Sequence, residues 1–261
     1  MNTASIAWSA SLILLSLATL TLASREDDLR TRFEGLDDKR DHAAIVKLWK
    51  EHPTEALGTI DAYLEGSLKL LEDNRDAAPD VILSMEARAL RGAAAADEAF
   101  GTAIFADYAA AFGSWNADEQ GRFRRGQALF GEASKALRSK NFDIGLSKAT
   151  ESLELARPLG DWWGTAMALC AMGRAHAGLG QPLKALECAS QARLINHDLR
   201  LSSDEYTCLE VMTRAAEASG RNERALVSAQ AASAFASQLG DAKGAADLEK
   251  VVVELKAKLG R

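Results

Sequence analysis

The sequence predicts an all-α protein, an α-solenoid of antiparallel helix hairpins, and three observations carry that prediction. Hydrophobic residues fill 48% of the chain but aromatic ones only 6%, with heavy use of Ala and Leu and four prolines, a balance that suits helices packed closely through small side chains. No segment alternates apolar and polar residues with a period of two, whereas the long segments carry apolar stripes at helical spacing. The chain also resembles itself at a fixed interval of 40 residues, the signature of an array that grows by adding units.

Taken in order, residues 1–24 are directed at a membrane. Ile6 to Ser24 is a run of 19 uncharged residues, followed at once by Arg25-Glu26-Asp27-Asp28. That length just spans a bilayer as a single N-terminal helix. The preceding MNTAS has no basic residue, and Thr21-Leu22-Ala23 is a mediocre cleavage site. An uncleaved anchor and a signal cleaved on export both remain open. So does the side of the membrane, because Arg25, Arg30 and Arg32 have acidic neighbours. Residues 25–36 read as a charged tether.

Residues 37–115 read as degenerate helical hairpins. Asp38 to Glu51 and Thr54 to Asn74 form one expected pair, the second carrying Leu57, Ile60, Leu64, Leu68 and Leu71 on one stripe. Asp80 is placed to cap a helix running to Ala96, followed by a helix from Asp97 to Phe112. Asn116 is placed to cap a long helix reaching Arg138.

From 116 to 261 the repeats are explicit. Gly145-Leu146, Ala185-Leu186 and Ala225-Leu226 recur 40 residues apart, as do Ala149, Ala189 and Ala229, and Leu159, Leu199 and Leu239. Leu129, Leu169 and Leu209 mark the first half of each unit, and Leu159-Gly160-Asp161 returns as Leu239-Gly240-Asp241. The units are therefore 122–161, 162–201 and 202–241, with a half unit at 242–261. Within the second, Leu169, Met172, Gly173 and His176 share one stripe and Leu186, Ala189, Leu194 and Ile195 another. Gly180 suits the left-handed position closing the first helix, and Pro182 suits the first turn of the next. One such hairpin cannot bury its own apolar face, so it must stack on its neighbours.

Leu169-x-x-Met172-Gly173-x-x-His176, followed by Gly180, Ala185-Leu186, Ala189 and Ala192, resembles the tetratricopeptide repeat (TPR). The period and the linking Leu-Gly-Asp are similar to its longer, 40-residue variant. The resemblance covers 122–261 and departs where His176, Ala136 and Ala216 replace the usual aromatic. It implies a right-handed superhelix whose groove holds a peptide or helix of another protein. It also implies which first-helix positions line that groove: Phe130, Ser134, Arg138, Cys170, Arg174, Glu210, Arg214 and Glu217. Arg174 and Arg214 lie one period apart and would present two guanidinium groups to an acidic partner or a C-terminal carboxylate; the alternative is pairing with Glu210 and Glu217. Trp162-Trp163, at the start of a first helix, is a second candidate anchor, because Trp is enriched at interface hot spots.

The remaining chemistry is negative. A net charge of -6 without basic clusters argues against nucleic acid as a partner. Phosphate-loop, dinucleotide, HExxH and GxSxG motifs are absent, so no catalytic residue, cofactor or metal is expected. The four histidines are scattered, and His176 reads as a packed, hydrogen-bonded imidazole. Cys170, Cys188 and Cys208 lack CxxC spacing and read as free thiols used as small hydrophobes. The expected function is a membrane-tethered scaffold or adaptor that binds protein, the alternative a regulatory sensor responding to a peptide or effector.

Overall fold

A computed structural model describes residues 27–73 and 78–261. Among the described residues the chain is helical throughout, with no strand, and divides into two compact units at Gly101. No described helix is long and apolar enough to cross a membrane, and the 6–24 run lies outside the described residues.

The first unit comprises α1 (27–38), α2 (His42–Glu51), α3 (Ala56–Asp73) and α4 (Pro79–Phe100). These helices converge on one ring. Phe33 of α1, wholly buried, lies 5.1 Å from the Trp49 ring of α2 and 5.8 Å from Tyr63 of α3. On α4 it fills the space above Gly92, where any Cβ would come within 2.8 Å of the Phe33 ring. Trp49 Nε1 donates to the Gly92 carbonyl at 3.0 Å, and α4 packs on both α2 and α3. Beside this core, Asp37 is 1% exposed and accepts from Arg91 Nε and Nη2 at 2.5 and 2.6 Å and from Arg88 Nε at 3.0 Å.

Three expectations are corrected here. The tether expected at 25–36 is helical over 27–38, because Leu29 and Phe33, one turn apart, are buried while the charges between them face solvent. The next helix begins at His42 and not at Asp38. Arg40 takes a left-handed φ of 56°, which separates α1 from α2, and Asp41 Oδ1 accepts from Ala44 N at 3.1 Å as the cap. The break expected near Asp97 falls at Gly101, whose φ of 70° ends α4, while Pro79 opens that helix and leaves Asp80 in its first turn.

The second unit runs α5 (Ile104–Ser114), α6 (Ala117–Arg138), α7 (Phe142–Ala156, with a 3-10 turn at Arg157–Leu159), α8 (Trp162–Gly178), α9 (Pro182–Asp198), α10 (Ser202–Ala218), α11 (Asn222–Gln238) and α12 (Ala242–Lys258). From α6 onward each helix packs on the next in sequence, and α8 also packs on α6 and α10, the arrangement of a helical repeat array. Left-handed residues close successive helices at 140, 160, 180, 200, 220, 240 and 260, an unbroken 20-residue interval. At each, an amide one residue on returns to a carbonyl five back, as Gln181 N to His176 O at 2.9 Å and Arg221 N to Ala216 O at 2.8 Å. The Leu-Gly-Asp motif thereby acquires a mechanism. Leu closes a helix, Gly supplies the left-handed turn, and the Asp side chain caps the next: Asp161 Oδ1 accepts from Gly164 N at 2.7 Å, Asp241 Oδ1 from Gly244 N at 2.8 Å. Asn116 caps α6 as expected, in a reciprocal box with Glu119.

Ala149, Ala189 and Ala229, like Ala185 and Ala225, are wholly buried, so the second helices meet their neighbours through methyl groups. At Gly173 the backbones of the paired helices come close, for a Cβ there would lie 3.3 Å from Ala189 N and 3.4 Å from Ala185 O. Two apolar positions differ from expectation. Leu194 is 64% exposed, and the buried stripe of α9 runs instead through Ala192, Asn196 and Leu199. Leu239 is 42% exposed where Leu159 and Leu199 are buried.

Candidate functional site

The first helices of successive hairpins, α8 and α10, border a pocket of about 570 Å³. Its apolar lining comes from Leu137 at the end of α6, Phe142 at the start of α7, and Val211 and Ala215 on α10. Arg174 and Arg214 line the same pocket, both exposed. The repeat places them: Gly180 and Gly220, forty residues apart, close the two helices in one register, so positions six residues before each glycine project alike.

Neither guanidinium is bound to a carboxylate among the described residues. Arg214 Nε donates to the Glu210 backbone carbonyl at 3.4 Å, and its terminal nitrogens make no ion pair. Arg174 has no hydrogen-bond or ion-pair partner among the described residues. Glu217 is engaged elsewhere, accepting from Lys258 Nζ at 2.6 Å. Pairing of the two arginines with Glu210 and Glu217 is therefore not what the fold contains. Two fixed positive charges over an apolar lining can attract and hold an anionic side chain or a carboxyl terminus.

The other candidates are placed differently. Phe130 packs half-buried on the cluster of Ala133, Leu137, Ala149, Ala171 and Ala175, supporting the layer beneath the pocket. Ser134 and Glu210 are half-buried and Arg138 is exposed, all outside the pocket lining, as is Glu217. Cys170 packs against Leu169, Ala192 and Cys208. Trp162 and Trp163 both remain half-buried in the first turn of α8, outside the pocket. His176 is 7% exposed with Nδ1 2.9 Å from Gln181 Oε1, a structural contact that bridges a helix end to the turn after it.

Two features were not anticipated. Trp115 joins Phe112 and Phe123 with ring centroids 4.4 and 4.8 Å away, and its Nε1 donates to the Leu159 carbonyl at 2.9 Å, fastening α5 and α6 to the end of the first hairpin. The dense aromatics at 112–123 were the available signal. A polar cluster also fills the α9–α10 junction. Glu205, 3% exposed, lies 2.9 Å from Arg193 Nη2 and 3.2 Å from His197 Nδ1, beside the buried Asn196. The equivalent positions of the preceding unit, Leu153, Ala156 and Thr165, gave no hint of it. Among the described residues no group of His, Cys, Asp or Glu is placed to hold a metal ion.

No known family model matches the chain, and no curated protein matches it in sequence.

Proposed function

We propose that this chain is a binding module without catalytic activity of its own. On this reading its C-terminal unit is a TPR-type right-handed superhelix, and the pocket between α8 and α10 receives an acidic peptide or helix of another protein. Residues 6–24 would tether the module to a membrane or direct its export. The supporting observation is the pair Arg174 and Arg214, one repeat apart on a shared apolar pocket and free of ion pairs among the described residues. Exposed charges not already paired within the chain are available to steer an anionic partner to the pocket and to fix its register.

A photo-crosslinking residue placed in cells at Ala177, exposed at the pocket, and another at Val227, exposed on the outer helix α11, tests the reading. A discrete protein adduct from position 177 and none from 227 supports it. Equal labelling at both, or an adduct from 227 alone, overturns it.

A further inference from the structure

On α8 and α10 one stripe of the helix is buried against the helix that follows. It consists of Leu169, Gly173 and His176 on α8, with Gly173 set close to Ala185 and Ala189 of α9, and of Leu209, Thr213 and Ala216 on α10. Forty residues on, the same stripe of α12 is Glu249, Val253 and Lys256. All three are exposed, Val253 at 66%, with Val252 half-buried beside them. Another alanine-lined helix laid on this face would bury Glu249 and Lys256 unpaired, which is costly. Neither has an ion pair among the described residues, although their neighbours do: Asp247 binds Lys243 and Lys250, and Lys258 binds Glu217. We propose that this face docks a second copy of the chain, α12 against α12, antiparallel about a two-fold axis.

The charges select this partner and its direction. In a two-fold antiparallel pair, each residue meets the one equally far from the axis on the other copy. With the axis between Val252 and Val253, Glu249 of one copy stands opposite Lys256 of the other, and symmetry makes this pair twice. Two helical turns, about 10 Å, separate the two residues along α12, so they cannot bind each other within one chain. The rest of the face agrees with the same axis. Val252 and Val253 meet at the centre, and exposed Ala246 falls opposite half-buried Leu259 of the other copy, small against large. A parallel pair would instead set Glu249 against Glu249 and Lys256 against Lys256, like charges that repel. One helix pair is a small contact, so the dimer forms reversibly. It leaves the Arg174 and Arg214 pocket out of the argument and does not depend on what that pocket binds.

The test places a photo-crosslinking residue at Ala257, exposed at the edge of the stripe, in two differently tagged copies of the full chain expressed together in cells. The expected result is an adduct that carries both tags and joins α12 to α12. Glu249→Lys in both copies, or Lys256→Glu in both, sets like charges opposite each other twice and should reduce the adduct at least about tenfold. Glu249→Lys in one copy with Lys256→Glu in the other restores both attractions. That mixture should recover the adduct, which also shows that each variant folds. No adduct between copies, an adduct with another protein or with residues 6–24 in its place, single variants that crosslink like wild type, or a mixture that does not recover would each overturn the proposal.

Discussion

Phe33 and Ala189 are both wholly buried, yet they hold their surroundings together in different ways. Phe33 touches α2, α3 and α4 at once, so the first unit is organised around a centre, with Asp37, Arg88 and Arg91 fastening the helices beside it. Ala189 meets the helix paired with it at Gly173, and the second unit is organised along a line, with each helix answering to its neighbours in sequence. A centred core spreads the effect of one lost contact through the whole unit. A linear array confines it to adjacent hairpins.

The largest effects should separate these two designs. Trp49→Ala removes a fully buried ring and its hydrogen bond to Gly92, and should destabilise the first unit by about 4 kcal/mol. Hydrogen exchange should then accelerate across α1 to α4 together. Ala185→Asp buries an unpaired carboxylate at the α8–α9 contact and should cost about 3 kcal/mol. Its faster exchange should stay within α8, α9 and their immediate neighbours; uniform acceleration through to α12 would show that the array is not a chain of local units.

A smaller effect comes from acid. Burial alone would raise the Asp37 carboxyl, but the Arg91 hydrogen bond and the charges of Arg91, Arg88 and Arg40 outweigh it and hold the pKa below the usual carboxylate range. The group therefore stabilises the native state fully above its unfolded value of about 4. That contribution is lost as pH falls through the lowered native value. Asp37→Asn should thus melt earlier than wild type at neutral pH, and the gap should narrow steadily as the buffer is taken below pH 4. A gap that does not change with pH would mean that the carboxylate charge is not what stabilises this corner.

Smaller again is Lys140→Gly. Lys140 is exposed and carries a φ of 59° at a position where Gly180, Gly220 and Gly260 stand in the other units. Relief of the left-handed strain should exceed the added entropy of the unfolded glycine and stabilise the array by about 0.5–1 kcal/mol, read as a raised melting temperature.

What the sequence disclosed follows the same division. In the array, helix ends are written locally, in Gly180, Pro182, Asp161 and Asn116, and two of these signals return in later units, Gly180 as Gly220 and Gly260 and Asp161 as Asp241, so the register could be read without tertiary information. Arg174 and Arg214 could be paired by the period alone. In the first unit the decisive contacts span about fifty residues, as Asp37 with Arg88 and Arg91 do, and nothing near either end marks them. The helix at 27–38 was legible in Leu29 and Phe33 but was masked by the density of charge around them.

The pocket is the centre of the functional account, and Arg174→Glu combined with Arg214→Glu tests it most directly. Both residues are exposed, so the double variant should melt within about 0.5 kcal/mol of wild type. Reversing two charges should weaken the partner captured from position 177 by at least about tenfold, mainly through slower association, with a shallower salt dependence. Affinity and melting measured on the same protein give the answer. Lost binding with an unchanged melt is the predicted result, whereas unchanged affinity would contradict the account and turn attention to Trp162 and Trp163, and lost affinity with a collapsed melt would show the arginines to be structural.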